Sequence, residues 1–165
     1  MEIRKAKIED AHQINEVYVL TWKNTYKGII NDSFLNQLTN TKKDIKKREK
    51  DIKDNPMKYT VAVVDNKVVG VMTCVKCRNE KYKDFGEIQS LYVLKEYQGQ
   101  GLGRSLIEEG KKLLKHQGYK EMIIECLKEN PSCLFYKVMG GKEIEVIDSY
   151  TANQTLQCSV FNYQL

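Results

Sequence analysis

The sequence predicts an α+β fold, a mixed and mostly antiparallel sheet flanked by helices. Three observations carry that prediction. Short apolar or alternating runs that read as strands recur along the chain, and stretches with helical spacing separate them. Their order is β-α-α-β-β-β-α-β-α-β-β, so hairpin-like strands precede a β-α-β passage. No linker, repeat or low-complexity segment interrupts the order, and a single domain spanning residues 1–165 is expected.

Taken in order, Ile3 to Ile8 reads as a first strand, and Asp10 is placed to cap a helix through Ile14, Val17, Tyr18 and Thr21. Trp22 to Ile30 holds an aromatic pair, Trp22 and Tyr26, and its Gly28 and Asn31 suggest a bend. A second helical region covers 32–53 and stops before Pro56. Two apolar runs, 59–64 and 68–75, flank Asp65-Asn66-Lys67 and predict a hairpin. A polar connection, 79–84, leads to the strand 86–93. Beyond the glycines at 99, 101 and 103, Leu102, Leu106, Ile107, Leu113 and Leu114 mark one face of a helix ending near Gly118. A strand at 121–127, a helix opened by Asn130-Pro131-Ser132 and stopped by Gly140-Gly141, and closing strands to Leu165 complete the chain.

Composition narrows the function classes. With 41% apolar and 30% charged residues the chain is ordinary for a soluble protein. Met1 to Lys5 carries charges where a signal peptide needs an apolar stretch, and no window approaches the ~20 apolar residues of a membrane span. A cytoplasmic protein with no membrane partner is expected. The net charge of +5 is modest, and acids interrupt the basic run from Lys42 to Lys50, which therefore reads as a solvated helix face and not as a nucleic-acid surface. Cys74 and Cys77 form a C-x-x-C, but residues three apart on a strand point to opposite faces, so no metal site is expected there. The odd number of cysteines, five, suggests reduced thiols.

The chemistry concentrates in Gln98-Gly99-Gln100-Gly101-Leu102-Gly103-Arg104. Glycines leave backbone N–H groups unshielded, and the following helix adds aligned donors at its N-terminus, which together make a pyrophosphate cradle. It is not a Walker loop, because Gly103 is followed by Arg104-Ser105 and not Lys-Ser/Thr. A dinucleotide fingerprint also fails, since Arg104 stands where the third glycine belongs.

What remains, Gln-x-x-Gly-x-Gly at 98, 101 and 103 after a strand, resembles the loop with which the Gcn5-related N-acetyltransferase (GNAT) superfamily holds acetyl-coenzyme A. The preceding strand 87–93, the later Asn130-Pro131-Ser132 with Phe135-Tyr136, and the early Thr21-Trp22-Lys23 and Tyr26-Lys27-Gly28 are similar to further family motifs in the right order. The likeness covers nearly the whole chain. It departs at Gly140-Gly141, where many members carry Gly-Phe.

The resemblance implies a GNAT-like fold and acetyl-CoA as co-substrate, without a metal. The coenzyme arm would pair with Leu91, Tyr92 and Val93 as an added strand. The pyrophosphate would meet the backbone from Gln98 through Gly99, Gln100, Gly101, Leu102 and Gly103 to Arg104. Asn130 is similar to a residue contacting the coenzyme arm, although a helix-capping role fits it equally. The Val93 N–H would steady the oxyanion, Tyr136 would protonate the leaving thiolate, and Glu87 would act as base through water or orient the ammonium.

A lysine-like amine near pKa 10.4 is only about 0.04% neutral at pH 7, so proton removal is a real requirement. Trp22 and Tyr26 are expected to line the acceptor side. The substrate would be a small-molecule amine or a peptide N-terminus, attacked directly in a ternary complex; Cys126 and Cys133 lack a histidine context for a thiol intermediate. A catalytically silent coenzyme A sensor is the competing class, and a homodimer is left open.

Overall fold

In the computed structural model, which describes residues 1–165, seven strands form one sheet in the order β1-β2-β3-β4-β5-β7-β6. The strands are β1 (Glu2–Lys5), β2 (Tyr59–Val64), β3 (Lys67–Lys76), β4 (Gly86–Val93), β5 (Glu121–Leu127), β6 (Lys142–Thr151) and β7 (Gln154–Gln164). Helices α1 (Ala11–Thr25), α2 (Asp32–Gln37), α3 (Lys42–Asp54), α4 (Leu102–His116) and α5 (Ser132–Val138) connect them. The mixed, helix-flanked sheet is the predicted class. Every pairing is antiparallel except β4 with β5.

Alternation on β3 assigns the helices to faces. Gly110 of α4 sits so close to Met72 that an added Cβ would lie 2.7 Å from its sulfur. The next residue, Thr73, points the other way, where its hydroxyl bonds Ser90 Oγ (2.7 Å) and Ser90 in turn meets Tyr18 of α1 (2.6 Å). Thus α4 covers one face and α1 the other, and α3 packs on α1. The β2–β3 hairpin closes on Asp65 and Asn66, both at positive φ (49° and 62°), the conformation of a type I′ turn.

Four local predictions are corrected. The first strand ends at Lys5 and not Ile8, because the Asp10 carboxylate accepts the Lys7 N–H (2.7 Å) and both Arg4 guanidinium nitrogens (2.7 and 3.0 Å) and turns the chain. For the same reason Asp10 does not cap α1 with its side chain. The first helix also runs past Trp22 to Thr25, so the bend is confined to Tyr26–Ile30. The region 32–53 is two helices: Thr41 caps α3 by accepting the Asp44 N–H, and the Asp44 carboxylate accepts the Thr41 N–H.

Two irregularities prepare the site. The β3–β4 register shifts between Thr73/Ser90 and Cys74/Ile88, making Gln89 the extra residue of a bulge. The shift inverts the alternation, so Glu87, Ser90 and Tyr92 share one face while Ile88, Leu91 and Val93 share the other. The β4–β5 ladder, in turn, comprises only Gly86↔Met122 and Glu87↔Ile123. Past Glu87 the two central strands part.

Candidate active site

The parting of β4 and β5 opens a slot of about 400 Å³. Leu91, Tyr92 and Val93 form one edge, and the loop residues Gln98, Gly99, Gly101, Leu102, Gly103 and Arg104 form its end. Asn130 and Tyr136 close the opposite wall. Of the residues expected at the coenzyme, only Gln100 stays off the slot surface; its side-chain amide donates back to the Glu96 carbonyl (3.2 Å).

The loop has the physical properties of an anion cradle. Gly99 and Gly101 sit at φ +74° and +85°, where a side chain is strained, and nothing lies within 4 Å of where a Cβ would project. No side chain caps α4, and its first α-helical bond from the loop is Ser105 N–H to the Gly101 carbonyl (3.0 Å). The N–H groups of Leu102, Gly103 and Arg104 therefore precede the helical ladder and are available to a ligand. Gln98 ties the loop to the strand by donating from Nε2 to the Val93 carbonyl (2.9 Å).

The Val93 N–H is aimed by strand geometry. Its neighbour Leu94 donates to the Val69 carbonyl on β3 (2.9 Å), so alternation turns the Val93 N–H to the opposite side, where β5 has diverged. Across the slot, Tyr136 is only 6% exposed, and burial pushes its hydroxyl pKa well above the ordinary value. The hydroxyl therefore stays protonated. Its backbone carbonyl accepts from Tyr163 Oη (2.9 Å), which packs α5 on β7. Gly141 allows that contact, since a Cβ there would fall 2.7 Å from the Tyr163 ring. Asn130 combines the two roles open to it: Oδ1 accepts the Ser132 N–H (2.9 Å) while the residue lines the slot.

A second, wider cleft of about 1040 Å³ lies on the α1 face. Trp22 and Tyr26 line it, their rings edge-on at 4.9 Å. Glu87 lies in its wall, 2% exposed, and accepts from Arg78 Nη2 (2.8 Å), Nε (3.4 Å) and the Arg78 N–H (3.2 Å). α3 supplies the outer wall, where Arg48 donates to Asn15 Oδ1 (2.8 Å) and the Tyr59 hydroxyl (2.5 Å), and Asp51 pairs with Lys58 (2.9 Å).

Sequence reasoning missed Arg78, Glu125 and the α3 wall. Only the register of β4 with β5 brings Glu125 to the same face as Glu87, two residues beyond the Ile123 that pairs with it, and no local motif marks it. The cysteines are all free. Cys74 packs in the main core, where burial pushes its thiol up to about 12, while Cys77 joins a separate cluster. Cys126 lines the slot, and burial beside Cys133 raises its thiol, the opposite of an activated nucleophile.

The strand-parting slot thus ends in a glycine cradle and adjoins a polar cleft. The chain belongs to the acetyltransferase (GNAT) family, whose model matches residues 15–140, and it is an acyltransferase of that family. It is 32% identical to an uncharacterised N-acetyltransferase of Bacillus subtilis over 86% of this chain and 80% of that protein. A spermidine N(1)-acetyltransferase of Thermoplasma acidophilum is 25% identical over 90% and 91%. Among solved structures, a ribosomal-protein-alanine N-acetyltransferase from Brucella melitensis superposes with TM-score 0.79 at 20% identity, covering both chains fully. The PaiA N-acetyltransferase of Thermoplasma acidophilum, in complex with coenzyme A, superposes with TM-score 0.72 at 21% identity over 99% and 98%. No helix is long and apolar enough to cross a membrane.

Proposed function

We propose that this protein transfers the acetyl group of acetyl-CoA to a primary amine by direct attack in a ternary complex. The observation that carries the reading is the meeting of two cavities where β4 and β5 part: one ends in a glycine cradle, the other is walled by charged side chains. A thioester carbonyl delivered along the slot would lie by the Val93 N–H, a preorganised donor for the oxyanion. The protonated Tyr136 hydroxyl is suited to donate to the leaving sulfur. Leu91, Tyr92, Gln98 to Arg104 and Asn130 would hold the coenzyme, and Trp22 and Tyr26 the acceptor. Glu87, anchored by Arg78, would hold the ammonium. The raised Cys126 thiol argues against an acyl-cysteine route.

The acceptor would be a polyamine or a peptide N-terminus. In the cleft wall Asp51, Asp54 and Glu87 pair with Lys58, Lys50 and Arg78, so the wall is charge-balanced within a chain of net +5. Relatives named for spermidine and for N-alpha acetylation span the same two chemistries. Free cysteines and an acetyl-CoA substrate suit a cytoplasmic enzyme.

Incubating the protein with acetyl-CoA and either spermidine or an alanine-terminated peptide, while following free thiol and product mass, tests the reading. Amine-dependent thiol release is expected. Tight coenzyme A binding with no release on any primary amine would instead make the protein a coenzyme sensor.

A further inference from the structure

The charge balance of the cleft wall leaves a remainder. Besides the three ion pairs, the Asp44 carboxylate is taken up at the start of α3, where it accepts from Thr39 and from the hydroxyl and N–H of Thr41. Of the charged residues still unaccounted for, Lys47 and Arg48 on α3 and Glu125 on β5 stand in no ion pair. The two cations lie on the outer wall. The carboxyl lies at the inner end, where the cleft meets the slot.

Lys47 is exposed, but Arg48 is half-buried and fixed in place. Its Nε donates to Asn15 Oδ1 (2.8 Å), its Nη1 to the Tyr59 hydroxyl (2.5 Å), and its guanidinium lies over the Tyr18 ring, 4.6 Å from the centroid. All three partners are neutral. Two of the guanidinium's five donors are thereby used, and Nη2 has no acceptor. Partly buried charges are ordinarily paired. Asp51 does not serve, because its carboxylate already accepts from Lys58 (2.9 Å), Asn55 (2.8 Å) and the Tyr59 hydroxyl.

Asn15 sharpens the point. It is only 6% exposed, and its Nδ2 has no partner. An aspartate of the same shape would lose no hydrogen bond there and would neutralise Arg48. The amide instead positions the guanidinium and leaves its charge free.

We propose that the acceptor amine carries a carboxylate, which Arg48 binds through Nη2 while the amine reaches the junction of cleft and slot. The proposal rests on the acetyl-transfer reading above and narrows its acceptor. A guanidinium fork matches a carboxylate in both charge and shape. Tyr18 sets the spacing. Arg48 lies over its ring, and its hydroxyl meets Ser90 Oγ (2.6 Å), a residue common to both cavities. The amine and the carboxylate must therefore stand apart by about the length of that ring. A free α-amino group and its own carboxylate share one carbon and are too close. An ω-amino acid, or a peptide N-terminus bearing an acidic side chain, spans the distance. A polyamine would bring a second ammonium against Arg48 and Lys47, and like charges in contact are unfavourable.

The test measures kcat/KM, by thiol release from acetyl-CoA, for two matched pairs of acceptors. One pair is 6-aminohexanoate and 6-aminohexanamide. The other is a peptide beginning with glutamate and the same peptide beginning with glutamine. Within each pair the carboxylate alone differs. Wild type is expected to prefer the carboxylate roughly 10- to 100-fold in at least one pair, the range of a hydrogen bond between charged groups. Which pair shows it tells a small amino acid from a peptide N-terminus.

The preference should vanish in Arg48→Gln. It should vanish also in Asn15→Asp, which keeps the guanidinium and supplies it with a carboxylate. Each preference is a ratio within one variant, so any loss of folded protein cancels. Equal or reversed rates within both pairs in wild type, or a preference that survives either substitution, overturns the proposal. Turnover of spermidine with neither carboxylate acceptor used also overturns it and leaves the acetyl-transfer reading standing. No thiol release with any of these acceptors or with an alanine-terminated peptide overturns the acetyl-transfer reading, and the proposal with it.

Discussion

The slot and the cleft adjoin, yet different physics builds them. The edge and end of the slot come from one contiguous stretch, Leu91 to Arg104, with α1, β5 and α5 completing its walls, and that stretch works through backbone: glycine conformations, an uncapped helix start and an N–H turned out of the ladder. The cleft draws side chains from α1, α2, α3 and from strands β2 to β7, held by bonds such as Arg48 to Asn15 and Tyr59. Backbone recognition depends on local conformation and tolerates side-chain variety around it. Side-chain recognition depends on where distant elements come to rest. A family can therefore keep one donor while changing its acceptors.

Substitutions can break that contrast. The largest effect is expected from Gly101→Glu, which forces a side chain onto φ +85° and sets a negative charge against the pyrophosphate. Coenzyme A affinity should fall on the order of 100-fold, the left-handed strain alone being worth about 1–2 kcal/mol. Unchanged affinity by calorimetry would remove the loop from the coenzyme site.

Glu87→Gln should act only on the other side. Losing a charged hydrogen-bonding partner worth about 1.5–3 kcal/mol corresponds to roughly 10- to 100-fold in acceptor KM. The coenzyme dissociation constant should stay put; if both constants move together, the two halves are not separable. Tyr136→Phe should leave both affinities alone and lower kcat by roughly 10-fold. That is below the ~10²–10⁴ of a full general acid, because a thiol near pKa 8.5 already leaves readily. A larger loss, seen in single-turnover kinetics, would mean that sulfur departure limits the rate.

The smallest effect should come from Thr41→Ala. Removing the cap of α3, the outer wall of the cleft, costs about 1 kcal/mol in a denaturant titration. Its kinetic trace should appear in acceptor KM and not in coenzyme affinity.

How much of this was readable in advance follows the same division. The strands 86–93 and 121–127 carry their own apolar patterns, and their predicted bounds match the structure to the residue. The helical region 32–53 was read as one because Leu35, Leu38, Ile45 and Ile52 keep helical spacing. Yet Leu35 and Ile52 join different clusters, and the Thr41 cap divides them. Asp10 looked like a helix cap, but Arg4, six residues earlier, takes its carboxylate. Trp22 and Tyr26, singled out by the family resemblance, both stand in the wall of the cleft. Arg78 and Glu125 were not singled out, since neither stands in a motif and each acquires its neighbours only through strand register.

By itself the sequence determined the slot half of the site: the alternation of strands and helices, the glycines that a tight turn at positive φ requires, and the strand that feeds them. Those features are local, fixed by backbone conformations and side-chain periods within a few residues. The tertiary structure decided the rest. A bulge at Gln89 turned Glu87 and Tyr92 to the same face, and a two-rung parallel ladder parted β4 from β5 and left Glu125 on the face of Glu87 just past the last rung. These are long-range registers, and a one-residue shift in either would send the same side chains to the opposite face of the sheet.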